Sequence, residues 1–249
     1  MPFDPVATSV WVRPHRPRGA QPSLGREQIV RAALELLDAD GIDGLSMRRL
    51  GARLNAGATS IYWYVANKDD LLELAVDEVW GEVPLPDGDG WRDVARALVV
   101  GIRSAILRHP WVTTLLGRRP SLGPNAMRLA DLTLASLTAG GFSPTEAAHA
   151  SSLLMAHAAG SATMESARRT VLAQSTLSPQ EFVQSMEANL PHVATEYPQL
   201  AEWNRRIHAL DVEKLWQEEA EFGLKYLLAG LELVLAEPGR DWLGPTEST

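Results

Sequence analysis

One short stretch, residues 45–72, constrains this chain more than any other: LSMRRLGARLNAGATSIYWYVANKDDLL. Its punctuation predicts two short helices, a tight corner between them and the start of a third. Ser46 is a good N-cap for the first helix, which then carries Leu50 and Leu54 one turn apart on an inward face. Asn55, Ala56 and Gly57 form the break, because Asn and Gly tolerate the left-handed backbone that a sharp helix-to-helix corner requires. Residues 58–64 make a very short helix with Ile61 as its inward anchor, and its other side chains include the hydroxyls and aromatics Thr59, Ser60, Tyr62, Trp63 and Tyr64. Asn67 caps the next helix, with Asp69 and Asp70 at the positive end of its dipole. Lys68 lies beside that helix's free backbone N–H groups, a natural place to clamp a phosphate.

This is the layout of a helix-turn-helix, whose second helix enters the DNA major groove. Hydroxyls bond base edges or phosphates, and Tyr and Trp add a donor and a broad flat contact. The candidate DNA-contacting residues are therefore Arg48, Ala58, Thr59, Ser60, Tyr62, Trp63, Tyr64 and Lys68. An ordinary helical corner with surface aromatics has the same spacing, since helix pairs joined at a Gly turn are common.

The run Ile61-Tyr62-Trp63-Tyr64-Val65, followed by Asn67-Lys68 and Leu71-Leu72, resembles the DNA-binding domain of the tetracycline repressor family. The upstream helix over residues 26–39 and the Leu45-Ser46-x-Arg48-x-Leu50 start fit the same pattern. A looser likeness continues through Trp91-Arg92-Asp93, Leu107-Arg108-His109, Leu116-Gly117-Arg118-Arg119-Pro120, Gly141-Phe142-Ser143 and Gly230-Leu231-Glu232, so the resemblance covers about residues 24–236. Two positions depart from it. Gly51 stands where the family usually has Ala, which loosens a helix interior by up to about 1 kcal/mol. Asn55 stands where Gly is usual, which keeps the turn chemistry.

Composition bounds the alternatives. At 249 residues with 45% hydrophobic content, the chain can bury a full core in one or two domains. It has no Cys, which excludes disulfides, thiolate metal sites and cysteine nucleophiles and fits a cytoplasmic location. No apolar run is long enough to span a bilayer, and the N-terminus lacks the apolar core of a signal peptide, so no membrane partner is expected. A net charge of −8 argues against nucleic-acid binding only when averaged over the chain. Affinity depends on local phosphate neutralisation, and Arg48, Arg49, Arg53 and Lys68 cluster in the motif while Arg13, Arg16, Arg18 and Arg26 precede it. Arg49 and Arg53 individually can equally be solvated surface. The acidic surplus collects at Asp87 and Asp89 and at Glu213, Glu218, Glu219 and Glu221.

Along the chain, residues 1–23 are rich in Pro, Gly and Arg and read as a disordered basic arm, either reaching the minor groove or simply frayed. Residues 24–72 form the helix-turn-helix domain and residues 73–249 a larger domain for ligand binding and dimerisation. Ser143-Pro144-Thr145-Glu146 and Ser178-Pro179-Gln180-Glu181 are helix-opening capping boxes with Pro at the first position. No strand-like alternation persists, so the fold is all-α: three N-terminal helices plus a larger helical domain.

The helix opened at Ser143 is thin all round, with Ala148, Ser152 and Ala159 among many small residues. The last helix, over residues 212–236, carries more apolar surface than one neighbour can cover, including Leu227, Leu231 and Val234. The two can pack in one chain's core. The resemblance implies instead that, doubled by symmetry, they form a four-helix dimer interface, and a homodimer would supply two half-sites on a palindromic double-stranded operator.

The resemblance also implies a cavity for a small-molecule effector. Members that bind magnesium–tetracycline use a ring of polar side chains and a His on the metal. The matching metal-ligand position here is Leu115, a second drug-binding His falls near Pro84, and a polar amide and an aromatic become Leu98 and Ile102; only Arg119 and Pro120 persist. The expectation is a mostly apolar cavity lined by Leu98, Ile102, Trp111, Leu115 and Met155, with Arg119 and His157 as polar anchors. The same residues can also be ordinary core. No metal and no cofactor are expected. Glu146 and His149 have the i, i+3 spacing that di-metal bundles use, but no second copy exists, and no phosphate loop or serine elbow occurs. The chain is thus expected to be no enzyme but a ligand-responsive DNA-binding transcriptional regulator, a repressor released by a small hydrophobic effector. The alternatives are a small-molecule-binding helical protein with vestigial DNA binding, or a helical enzyme without recognisable motifs.

Overall fold

In α1 (Arg26–Gly44) the stripe Ile29, Val30, Ala33, Leu36 and Leu37 is buried as its spacing requires. Gly41, at φ 67° and ψ −169°, breaks the regular helix before its last turn, a conformation open to a residue without Cβ. The computed structural model describes residues 4, 6–7, 9–12, 25–86, 90–118, 120–190, 192–207 and 211–237. Ser46 Oγ accepts the Arg49 N–H at 3.2 Å and opens α2 (Met47–Arg53). At the corner the left-handed residue is Asn55 (φ 50°), whereas Gly57 has φ −65°. Asn55 thus supplies the turn expected of Asn and Gly together. The second helix of the motif, α3 (Ala58–Tyr62), is shorter than its expected span, and Trp63 and Tyr64 follow as a turn. Leu50, Ile61, Val65 and Leu71 are fully buried between these helices.

Asn67 and Asp70 open α4 (Lys68–Gly81) reciprocally: Asn67 Oδ1 accepts the Asp70 N–H at 2.8 Å, and Asp70 Oδ2 accepts the Ala66 N–H at 3.2 Å. Then come α5 (Trp91–Arg108), a 3₁₀ turn (Pro110–Thr114) and α6 (Pro124–Ala139). They are followed by α7 (Pro144–Gln174), α8 (Pro179–Asn189), α9 (His192–Glu196), α10 (Pro198–Ile207) and α11 (Val212–Ala236). Among the described residues there is no strand, so the fold is all-α as expected. Both capping boxes form. Ser143 donates to and accepts from Glu146, Ser178 and Glu181 do the same, and these hydrogen bonds hold both glutamates below their usual pKa. The two caps are therefore intact at neutral pH and are lost as pH falls through those lowered values.

The chain divides by packing into residues 1–159 and 160–249, within α7. In the first unit α4 packs against α1 on one side and α6 on the other. Asp77 of α4, 4% exposed, caps α6 where Gly123 has no side chain to do so. It accepts the Ala126 N–H at 3.0 Å and the Asn125 N–H at 3.3 Å, and Asn125 Nδ2 at 3.2 Å. A Cβ on Gly123 would lie 2.1 Å from Asp77 Oδ1, so the approach requires glycine there. The helix-turn-helix is thus a functional segment of a larger packed unit. In the second unit, Arg169 binds the buried Glu165 and lies over the Trp216 ring, and Arg168 pairs with Glu219.

The expectation of a disordered arm is corrected for residues 9–12. They form a turn in which the Val12 N–H donates to the Ser9 carbonyl, and Ser9 is buried against α4. Pro/Gly-rich composition does not reveal that a remote carboxylate, Glu73, satisfies this turn. Residues 1–3, 5, 8 and 13–23 of the arm lie outside the described residues.

Asp77→Ala removes the acceptor for two backbone N–H groups at the start of α6. It should lower unfolding stability by about 1–3 kcal/mol, read as a lower urea midpoint at fixed protein concentration. Gly123→Ala should destabilise by a similar amount through overpacking.

Candidate nucleic-acid interface

The three arginines of α2 have different surroundings. Arg49 donates to the Gly44 carbonyl at 2.7 Å and pairs with Asp40 at 2.5 Å. Arg53 pairs with Glu35, its Nε at 2.8 Å. Both are fastened back onto α1 by acidic residues. Arg48 is exposed and makes no ion pair among the described residues. It is therefore the α2 arginine whose charge α1 does not neutralise.

Beyond it, α3 presents an exposed tip. Tyr62 is 49% and Trp63 68% exposed, while Ile61 between the core and this tip is fully buried. Ser60 is exposed and Tyr64 half-buried. Ala58 and Thr59 open α3, and their side chains lie outside the described residues. Tyr62, the last residue of this five-residue helix, and Trp63, in the turn after it, are large aromatics left in water. Lys68 differs from its expected setting: its ammonium donates to the Ile42 carbonyl at the end of α1, at 2.6 Å. An ammonium has three donors, so this anchor fixes the side chain near the motif without using up its capacity for a phosphate.

A polar joint that residue patterns do not disclose links α1, the end of α4 and the end of α5. His109, 8% exposed, has Nδ1 2.7 Å from Asp38 of α1 and Nε2 3.1 Å from Glu82 at the end of α4. Trp111 Nε1 donates to the same Asp38 oxygen at 2.7 Å, and Arg108 pairs with Glu82 at 2.9 Å. Asp38 on α1 is thus tied to the end of α5 and the turn after it. In sequence these residues are scattered over more than seventy positions.

Of the residues expected to line an effector cavity, Leu98, Ile102 and Trp111 are buried, and Trp111 directs its indole N–H at α1. Leu115 and His157 are half-buried, Met155 is exposed, and Arg119 lies outside the described residues. Of those expected at a dimer interface, Ala148 and Ser152 are exposed, Ala159, Leu227 and Val234 half-buried, and Leu231 buried within its own chain. Among the described residues no group of three His, Asp or Glu converges to hold a metal ion. Among them, too, no helix is long and apolar enough to cross a membrane.

Residues 29–75 match the family described as bacterial regulatory proteins, tetR family, and residues 83–235 match the tetracyclin repressor-like C-terminal domain. An HTH-type transcriptional regulator of Saccharopolyspora erythraea is 38% identical over 226 residues, covering 90% of this chain and 91% of the relative. The chain belongs to the tetracycline repressor family. The HTH-type transcriptional repressor DrrR1 of Streptomyces coeruleorubidus is 32% identical, over 92% of this chain and 85% of its own. Among solved structures, ActR of Streptomyces coelicolor in complex with actinorhodin aligns with a TM-score of 0.71 and 32% identity. That match spans 86% of this chain and 99% of the other. Like other tetracycline repressor family members, the chain is a DNA-binding transcriptional regulator.

Arg48→Ala and Tyr62→Ala should each weaken binding to a selected operator, by about 1–3 kcal/mol if a good base contact is lost, with circular dichroism unchanged. Arg49→Ala should cost far less, because an exposed pair to Asp40 is worth about 1 kcal/mol or less. Lys68→Ala should weaken all sequences alike and reduce the salt slope by about one. Equal binding by all four variants in a mobility-shift titration would remove DNA contact from this surface.

Proposed function

We propose that this regulator works as a homodimeric repressor in the cytoplasm, each protomer reading one half of a palindromic operator, and that a small hydrophobic effector releases it. The observation that carries this reading is the exposed Tyr62–Trp63 tip beside an Arg48 that α1 leaves unneutralised. Dimerisation is supported by α11, where Phe222 is 65%, Tyr226 55% and Leu233 51% exposed in the single chain. Apolar surface on that scale marks an interaction site. One short helix reads few bases, so two half-sites supply the specificity.

An effector is supported by the similar S. coelicolor regulator ActR, solved with actinorhodin and with (S)-DNPA. The effector-lining residues we propose are Leu98, Ile102, Trp111, Leu115, Met155, Arg119 and His157, a mostly apolar set that favours a hydrophobic ligand and no metal. Release follows as a population shift: an effector that binds one spacing of the two recognition helices better moves the dimer toward it. Tetracycline repressors are also among the relatives, at 29% identity, yet the positions matching the drug-binding groups are Leu115, Leu98 and Ile102.

Selecting bound duplexes from random DNA tests the reading as a whole: enrichment of an inverted repeat supports it, and no enrichment rejects it. Phe222→Glu and Leu233→Glu change residues that the single chain leaves in water, so the fold should persist while light scattering reports monomers; intact dimers in both would move the interface elsewhere. Leu231→Glu instead buries a charge inside one chain and tests folding. Tetracycline with magnesium should leave the protein–operator complex intact. Release at micromolar drug, abolished by a chelator, would contradict the apolar site.

A further inference from the structure

We propose that residues 9–12 form a strap that fastens α1 to α4 and pre-organises the DNA-reading helices, tightening operator binding without touching DNA. The strap grips both helices at once. On α4, Glu73 Oε2 accepts the Ser9 hydroxyl at 2.7 Å and the Val10 N–H at 3.1 Å, and Ser9 is only 2% exposed. On α1, the Arg26 guanidinium lies 4.9 Å from the centre of the Trp11 ring. The turn is held internally by the Trp11 N–H on Ser9 Oγ and by the Val12 N–H on the Ser9 carbonyl. Burial lowers the Arg26 pKa while the charge of Asp77 opposes that shift, so Arg26 also lies within the field of the carboxylate that caps α6. Glu73 and Asp77 are one turn apart on α4. The strap therefore closes over the same helix face by which α4 holds α6.

Residues 9–12 precede both family matches, which begin at residues 29 and 83, so the strap lies outside the segments that identify the family. α3 packs on α2, and α2 packs on α1, the helix that the strap ties to α4. Fixing the α1–α4 pair before DNA arrives reduces the ordering needed on binding, which raises affinity with no new contact to the operator. A segment that instead touched phosphates would add to the salt dependence of binding.

The test uses full-length protein and a duplex selected from random DNA by the wild type. Trp11→Ala should weaken binding about twofold to fivefold, the scale of one cation–π contact, and Glu73→Ala, which loses two hydrogen bonds, at least as much, with the slope of log K against log salt unchanged in both. Trp11→Phe, which keeps a ring under Arg26, should restore most of the loss. In parallel, amide hydrogen exchange at Val10 and along α1 should speed up in both Ala variants while circular dichroism stays the same. A reduced salt slope would mean that the segment contacts phosphate and would overturn the proposal. Unchanged affinity or unchanged Val10 exchange would overturn it as well. Were the wild type to select no duplex, the DNA-reading function would fail, and the exchange measurement alone would still decide whether the strap exists.

Discussion

A carboxylate buried on one helix and spent on the first turn of another holds this protein's working parts together. Asp77 leaves α4, approaches Gly123 more closely than any side chain there would allow, and satisfies N–H groups that α6 cannot cap itself. α4 begins at the Asn67–Asp70 cap, directly after the helix-turn-helix in sequence, so the helix that follows the motif also seats α6. A charge buried this way is stable only while its donors stay in place, so α4 and α6 are expected to move as one.

The second tie, through His109, Asp38, Glu82 and Trp111, makes the same connection from α1. Together these contacts hold α1 with α4, α5 and α6 in one packed unit. A ligand that repositions α5 or α6 acts on elements bonded to α1 and α4, and differential affinity for two such arrangements is all that release from an operator requires. No long-range wire is needed, since the helices concerned are already neighbours.

Much of this was legible in the sequence because it is local. Ser46, Asn67, Ser143 and Ser178 are caps, and each bonds where its spacing says it should. The stripe Ile29 to Leu37 and the anchor Ile61 are buried because a 3.6-residue period fixes which side faces inward. What escaped is non-local. Nothing around Asp77, Asp38 or Glu73 marks them as other than solvated acids, and their partners Asn125, His109 and Ser9 lie 48, 71 and 64 positions away. The same blindness applies to α2: three arginines look alike in sequence, and only the positions of Asp40 and Glu35 on α1 single out Arg48. Composition read the N-terminal segment as disordered for the same reason, since a four-residue turn becomes stable only when a remote acceptor meets it.

If α4 binds α1 and α6 as these contacts indicate, the three helices form one cooperative structure. Native-state hydrogen exchange of the wild-type protein in increasing sub-denaturing urea tests this most directly. Amides of α1, α4 and the first turn of α6, Asn125 to Met127, should merge into a single opening with one free energy and one urea dependence. Exchange of α1 to α3 through a separate, lower-energy opening that leaves the α6 first turn protected would contradict it.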